Sequence, residues 1–385
     1  MRKNLLVMVF VLLIAALTLT ACGTNAASTT VSTSDEVAVV ETLAPGSVQI
    51  NGAGATFPLP VYTAWTYAYQ YVDPSVAINY QGIGSGGGKK GIIDNTLDFA
   101  GSDSLLKEEE YTSGGDLQMY PMLAGAVAVV YNVTWAKDFA EGVKAPAIVL
   151  DRQTLVDIYN GTVNMWNDPK IVALNPELDG FLPAETITAV HRSDGSGTTE
   201  IFTKALTSFS ADWTAGGASS VEWPVDQAGN GIGGKGNQGV AAAVISSPNS
   251  IGYVELSYAI SNNMSTASLI NKSGATVTAN AESVASAMGD FADAFDENMT
   301  ATIVDGEGAN SWPITGYTYI ILHTQNMEDC VKAQKIVEFL TWALTDAGAG
   351  QQAADLGYSV LPEAVRDQVL AKLSELTCNG ATVVK

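Results

Sequence analysis

The chain has 385 residues with 18 Lys and Arg against 40 Asp and Glu, giving a formal net charge of −22. That acidity argues against nucleic acid or anionic lipid as a partner held by charge, and it requires any anion site to work through short, directional hydrogen bonds rather than lysine attraction. Once an N-terminal leader is set aside, roughly 340 residues remain, enough for two lobes rather than one core.

Arg2 and Lys3 precede an apolar run from Leu5 to Leu19, which is shorter than the roughly 20 residues of a bilayer span and ends in Leu19-Thr20-Ala21-Cys22. This resembles a bacterial lipoprotein signal. By that resemblance residues 1–21 are removed and Cys22 becomes a lipidated N-terminus, which places the body outside the cytoplasm and anchors it to the cell membrane; an uncleaved anchor is the alternative. Residues 22–47 are rich in Thr, Ser and Ala, have no plausible core and read as a flexible tether. Apart from Cys22 only Cys330 and Cys378 remain. In an exported protein these are expected to pair, although two buried thiols are the other possibility.

Val48 to Asn51 alternates like a strand and runs into Gly52-Ala53-Gly54-Ala55-Thr56-Phe57-Pro58. Val61, Trp65 and Tyr69 then recur at helical spacing, which predicts a helix whose opening turn contains Thr56 and Phe57. Val76 to Tyr80 reads as a second strand, followed by Gln81-Gly82-Ile83-Gly84-Ser85-Gly86-Gly87-Gly88 and a helix through Lys89 to Asn95. Leu97 to Ala100 reads as a third strand. Asp103 beyond it is placed to cap a helix over Leu105 to Tyr111. Met122 to Tyr131 is a continuous apolar run, as is Tyr317 to Leu322, and both suit buried strands. Val331 to Leu344 has helical spacing with Trp342 inward, and Pro362 to Leu376 would close the chain as a helix.

Between these halves lies His191-Arg192-Ser193-Asp194-Gly195-Ser196-Gly197-Thr198-Thr199. Ile201, Phe202, Ala205, Leu206 and Phe209 follow at helical spacing, so Ser196 to Thr199 form a first turn with unpaired N–H groups. Ser196, Gly197 and Thr198 can aim those groups, two hydroxyls and the helix dipole at one anion, and Arg192 adds a planar fork. An ordinary capped helix with a surface arginine reads from the same residues.

Several stretches together resemble one family. Gly52 to Pro58, Tyr80-Gln81-Gly82-Ile83-Gly84-Ser85, Asp98 to Asp103 and Arg192 to Thr198 are similar to the phosphate-binding protein of the bacterial phosphate ABC transporter, the PstS family. So are Gly234-Lys235-Gly236-Asn237, Ile251 to Glu255 and Trp312 to Thr315, and the likeness runs in order from residue 48 onward. It implies an α/β, two-lobed periplasmic-binding-protein fold of type II with the ligand in the interlobe cleft: 48–124 and 312–385 form lobe I, 125–311 lobe II. It implies a receptor that takes no cofactor or metal, works as a monomer and hands inorganic phosphate to the permease subunits. The family's phosphate ligands fall on Thr56, Phe57, Ser85, Asp103, Arg192, Ser196, Gly197 and Thr198. In this setting Asp103 has a chemical purpose: a carboxylate accepts a hydrogen bond from protonated phosphate and repels sulfate, which has no proton to give. Asp194 is expected to hold the Arg192 fork. Gly86 and His191 depart from the family's common serine and arginine and predict a less basic rim.

Two other classes compete. Ser102-Asp103, or Ser196 near His191, could belong to an exported phosphate-ester hydrolase, although the sequence has two histidines in all and no G-x-S-x-G or H-E-x-x-H motif. Gly82, Gly84 and Gly87 with Asp103 match a dinucleotide-binding fingerprint, which an exported chain has little use for.

Overall fold

The computed structural model describes residues 44–383, so the predicted leader, Cys22 and the tether up to residue 43 lie outside the described residues. Ala44 to Ser47, expected at the end of the tether, already belong to the body: Gly46 N–H donates to Pro74 O (2.8 Å) and Gly46 O accepts from Gln49 Nε2 (2.7 Å).

The chain first alternates strand and helix. β1 (Val48–Gly54) leads to α1 (Leu59–Val72), β2 (Val76–Gly82) to α2 (Ser85–Ile93), and β3 (Phe99–Ser102) to α3 (Glu108–Gly114). Such alternation demands parallel strands with helical crossovers, and β1 indeed lies between β2 and β3 in parallel register. β4 (Leu117–Asn132) then runs for 16 residues, almost all buried.

The second half repeats the scheme, with β5 (Val149–Asp151), α4 (Arg152–Tyr159), α5 (Pro169–Leu174), β6 (Thr188–Arg192), α6 (Gly197–Phe209), α7 (Pro224–Gln227), β7 (Gly231–Gly234), α8 (Gly236–Ser246), β8 (Ser250–Glu255) and α9 (Leu256–Ser261). Short strands β9 (Ser265–Thr266), β10 (Ser268–Ile270) and β11 (Thr276–Val277) precede α10 (Ala281–Asp290). The chain returns along β12 (Thr315–His323) and finishes with α11 (Cys330–Thr345), α12 (Ala347–Asp355), β13 (Ser359–Val360), α13 (Glu363–Ser374) and the hairpin β14 (Thr377–Cys378) and β15 (Ala381–Thr382).

The main sheet has the order β2-β1-β3-β12-β4-β8-β6-β7. β4 joins its two ends, because Leu117 to Ala126 pair with β12 while Val127 to Asn132 pair with β8. Two parallel three-stranded groups are thus linked by antiparallel crossovers, the two-lobed α/β arrangement expected. Indole N–H groups close to the crossovers are satisfied inside the core: Trp65 Nε1 donates to Ala349 O (2.9 Å) and Trp312 Nε1 to Val127 O (3.0 Å). Among the described residues no helix is long and apolar enough to cross a membrane.

Four local expectations are corrected. The helix expected over Leu105 to Tyr111 starts only at Glu108, and Asp103 does not cap it: Ser102 Oγ donates to Ser104 O (2.6 Å) and accepts from Ser104 N–H (3.1 Å), closing a tight turn in between. Thr56 and Phe57 lie in a bend before α1 rather than in its first turn, because Pro58 is the cap residue. The chain ends in a hairpin rather than in the helix, with Asn379 and Gly380 both at positive φ (52° and 78°), the two-residue turn that Asn-Gly favours. Cys330 and Cys378 are joined by a disulfide that ties this hairpin to the start of α11. Trp342 turns only partly inward, against Tyr69 and Phe339.

Candidate functional site

The carboxyl ends of parallel strands are where α/β sheets expose backbone N–H groups to a ligand, and five strands here deliver their following residues to one place. Thr56 and Phe57 follow β1, Ser85 follows β2, Asp103 follows β3, Arg192 to Thr198 follow β6, and Asn237 follows β7. All eight residues expected to ligate phosphate are buried there.

Hydrogen bonds connect them across the two halves of the sheet. Asn237 N–H and Nδ2 both donate to Thr56 Oγ1 (3.0 and 2.9 Å), and Nδ2 also donates to Thr198 Oγ1 (3.1 Å). Gly197 N–H donates to Ser85 Oγ (3.1 Å), Gly86 N–H to Gly195 O (3.1 Å) and Ser104 Oγ to Glu200 Oε2 (2.5 Å). The two loop sets therefore touch. A Cβ on Gly197 would stand 2.5 Å from both Asp103 Cβ and Ser104 N, so only glycine permits this approach. Ser196 is the cap of α6, its Oγ accepting from Thr199 N–H (3.1 Å), and it heads a helix of 13 residues whose dipole points at the same spot.

Arg192 is the one arginine in the cluster and Asp194 grips it. Nε donates to Oδ1 (2.8 Å) and Nη2 to Oδ2 (2.7 Å), which fills one edge of the guanidinium and leaves Nη1 and the second Nη2 proton on the other edge. Gly236 N–H also donates to Asp194 Oδ1 (3.0 Å). Burial alone would raise the Asp194 pKa, but Arg192 and this N–H hold it below the usual carboxylate range.

Asp103 experiences the opposite balance. Burial pushes its carboxyl up to about 7, although the Thr318 hydroxyl (2.8 Å to Oδ1), the Arg192 charge and Ser85 pull it back. Glu255, at the end of β8, is likewise pushed up by burial to about 8 against the Ser257 hydroxyl and N–H donors.

His191 lies inside the packing. It stacks on Trp223 with centroids 4.8 Å apart, and its nitrogens meet Asp226 Oδ1 (2.9 Å) and Arg192 O (3.0 Å), so neither is paired with Ser196. Among the described residues no three His, Cys, Asp or Glu side chains gather as a metal cage requires.

Several residues that organise the site were not singled out from the sequence. Tyr258 OH donates to Thr56 O (2.5 Å) and Tyr358 OH to Phe57 O (2.7 Å). In a trans peptide the C=O and N–H point in opposite directions, so Tyr258, by holding the Thr56 carbonyl, aims the Phe57 N–H the other way. Thr318 and Asn237 belong to the same group. Asn237 was visible only as part of a motif, and the tyrosines gave no local signal.

Comparison with known proteins gives the family and the fold. A family model described as "PBP superfamily domain" matches residues 26–347. The phosphate-binding protein PstS of Xylella fastidiosa (strain Temecula1) is 39% identical over 84% of this chain and 85% of its own length. PstS of Methanocaldococcus jannaschii is 36% identical over 83% of this chain and 84% of its own. Among solved structures, a periplasmic phosphate-binding protein, PfluDING, shares the fold at a TM-score of 0.66 and 22% identity, covering 84% of this chain and 93% of that one. A phosphate-binding protein from Stenotrophomonas maltophilia does so at 0.59 and 21%, with the same coverages. The chain therefore belongs to the PstS family of phosphate-binding proteins, within the PBP superfamily.

Proposed function

We propose that the chain is an extracytoplasmic receptor that captures inorganic phosphate and delivers it to the permease subunits of an ABC transporter. Thr56, Phe57, Ser85, Arg192, Ser196, Gly197 and Thr198 supply donors, Asp103 supplies the one acceptor, and Asp194 fixes the arginine. The observation that carries this reading is the match between that donor set and a tetrahedral, partly protonated oxyanion: buried N–H and O–H groups come from both halves of the sheet, with a single carboxylate among them.

Residues 48–124 with 312–385 act as lobe I and 125–311 as lobe II, bending where β4 and β12 cross. Phosphate bridges the lobes, displaces the Gly197–Ser85 hydrogen bond and shifts the population toward the closed form, which the permease recognises. Cys22 carries the lipid that holds a monomeric receptor at the membrane. Binding is the whole function in this reading, with no catalytic step.

The deciding experiment is calorimetric titration of the body from residue 44, stripped of endogenous ligand by unfolding and refolding, with phosphate and then sulfate at about pH 8. One-to-one phosphate binding with silent sulfate is expected. A folded protein that binds neither, or that turns over a chromogenic phosphate ester, would overturn the reading. Mass spectrometry of the membrane-bound protein tests the lipid on Cys22.

A further inference from the structure

Asn237 holds an unusual position, because every hydrogen-bonding atom of its side chain is committed and each commitment fixes another residue's proton. Glu255 N–H donates to Oδ1 (2.9 Å), so the amide oxygen faces the backbone and the NH2 group must face the threonines. The two Nδ2 protons go to Thr56 Oγ1 and Thr198 Oγ1, and the Asn237 backbone N–H adds a second donor to Thr56 Oγ1. A hydroxyl oxygen has two acceptor positions and one proton. Thr56 Oγ1 has both acceptor positions filled by Asn237, and Thr198 Oγ1 has one. Neither oxygen donates to any group among the described residues. Their protons therefore point away from Asn237.

We propose that Asn237 is a positioning residue that sets the polarity of the site: by occupying the acceptor side of both threonine hydroxyls it turns them into donors, so the guest must present unprotonated oxygens at those two places. The inference rests on the phosphate reading above and deepens it. A site with freely rotating hydroxyls could accept a proton from its guest as easily as give one. With Asn237 in place Asp103 is left as the acceptor, so phosphate binds with its proton on the Asp103 side. Asn237 comes from α8 in the second half while Thr56 follows β1 in the first, so its action is complete only when the two loop sets touch.

The test uses the full chain, purified in detergent and stripped of phosphate by unfolding and refolding, with inorganic phosphate as the titrant. Asn237→Asp preserves shape and the contact to Glu255 N–H but turns a donor into an acceptor, and should weaken phosphate binding about 100-fold, as expected when two hydroxyls are turned away from a charged guest. Because the new charge alone could repel phosphate, a double-mutant cycle isolates the hydroxyls. Asn237→Ala should cost about tenfold in the natural background and only about threefold in Thr198→Val, since one of its two targets is then gone. Equal costs in both backgrounds, or wild-type affinity in Asn237→Asp, would overturn the inference. A merely structural role would lower the melting temperature and cost the same in both backgrounds. Should Asn237→Ala fail to fold, the isosteric Asn237→Asp measured beside Asn237→Asp/Thr198→Val gives the same comparison. Failure of the natural chain to bind phosphate would instead overturn the underlying reading of the site.

Discussion

Sulfate affinity as a function of pH isolates the role of Asp103. Sulfate has no proton to offer, so it can share the site only with the neutral form of the carboxyl, whereas phosphate brings its own proton to the ionised form. With burial raising Asp103 to about 7, about 1% of the carboxyl is neutral at pH 9 and about 90% at pH 6. If sulfate binds the neutral form alone, its affinity should be about 90-fold greater at pH 6 than at pH 9, or about 2.7 kcal/mol, with the steep part above pH 7 and a plateau below it. Phosphate should change far less over the same range. Asp103→Asn, a permanent donor, should bind sulfate at every pH about as well as the natural protein does at pH 6, and should lose phosphate preference. Competition titration at constant ionic strength reads both profiles. A flat sulfate profile in the natural protein, or an unchanged one in Asp103→Asn, would refute the assignment.

Four further perturbations test the same site and fold. Gly197→Ala puts a Cβ 2.5 Å from backbone and side-chain atoms of the facing loop, so the lobes should stop short of contact; phosphate affinity should fall by more than about tenfold while the ligand-free melting temperature holds, and an unchanged affinity would count against closure. Replacing Cys330 and Cys378 by Ser releases a disulfide spanning 48 residues and should cost about 4 kcal/mol in the chain-entropy account, read by denaturant unfolding. Asp103 and Glu255 hold protons in the folded state that the unfolded chain gives up near 3.8 and 4.5, so they subtract stability as pH rises through those values toward about 7 and 8; thermal scans of the ligand-free protein should show the natural chain losing more between pH 5 and 8 than Glu255→Gln does. Finally, a chain of net charge −22 repels its anion at long range, so stopped-flow association should speed up as salt screens that field; a rate that falls with salt would point to a cationic funnel.

What could be read from the sequence was whatever a residue does with its own neighbours. Ser196 announces a helix cap by the apolar spacing after it, and Thr56, Ser85 and Asp103 each follow a glycine-bearing strand end, so their meeting place follows once the strands are parallel. Asn237 could not be read that way, because its work is done on Thr56, 181 residues away, and depends on which loops face each other. Tyr258 and Tyr358 grip Thr56 and Phe57 across 202 and 301 residues for the same reason. Asp103 misled as a helix cap because the Ser102–Ser104 turn satisfies the local backbone and frees the carboxyl for Thr318. The terminal hairpin did carry a signal, Asn379-Gly380, but its strands have two residues each and the helical pattern before it runs straight into them.

The net charge of the molecule and the chemistry of the site look opposed, and the geometry resolves them. Arg192 is the one cation among the eight expected ligands and Asp194 offsets it, Lys89 behind Ser104 is paired with Glu110, and Asp103 adds a further carboxyl, so the side chains offer little net positive charge to an anion. What remains is partial charge: N–H groups at the starts of α2 and α6, the Phe57 N–H turned away from Tyr258, and, in the proposed reading, hydroxyls turned by Asn237. Each such donor acts only at hydrogen-bond range and only in one direction, so it discriminates by where the guest carries protons rather than by how much charge it carries. A lysine-lined pocket would bind phosphate and sulfate alike through their charge. In the proposed reading a buried, mostly neutral donor cage with Asp103 as its acceptor makes protonation state the property that is read, and the acidic surface is tolerable because the cage does not draw on the long-range field.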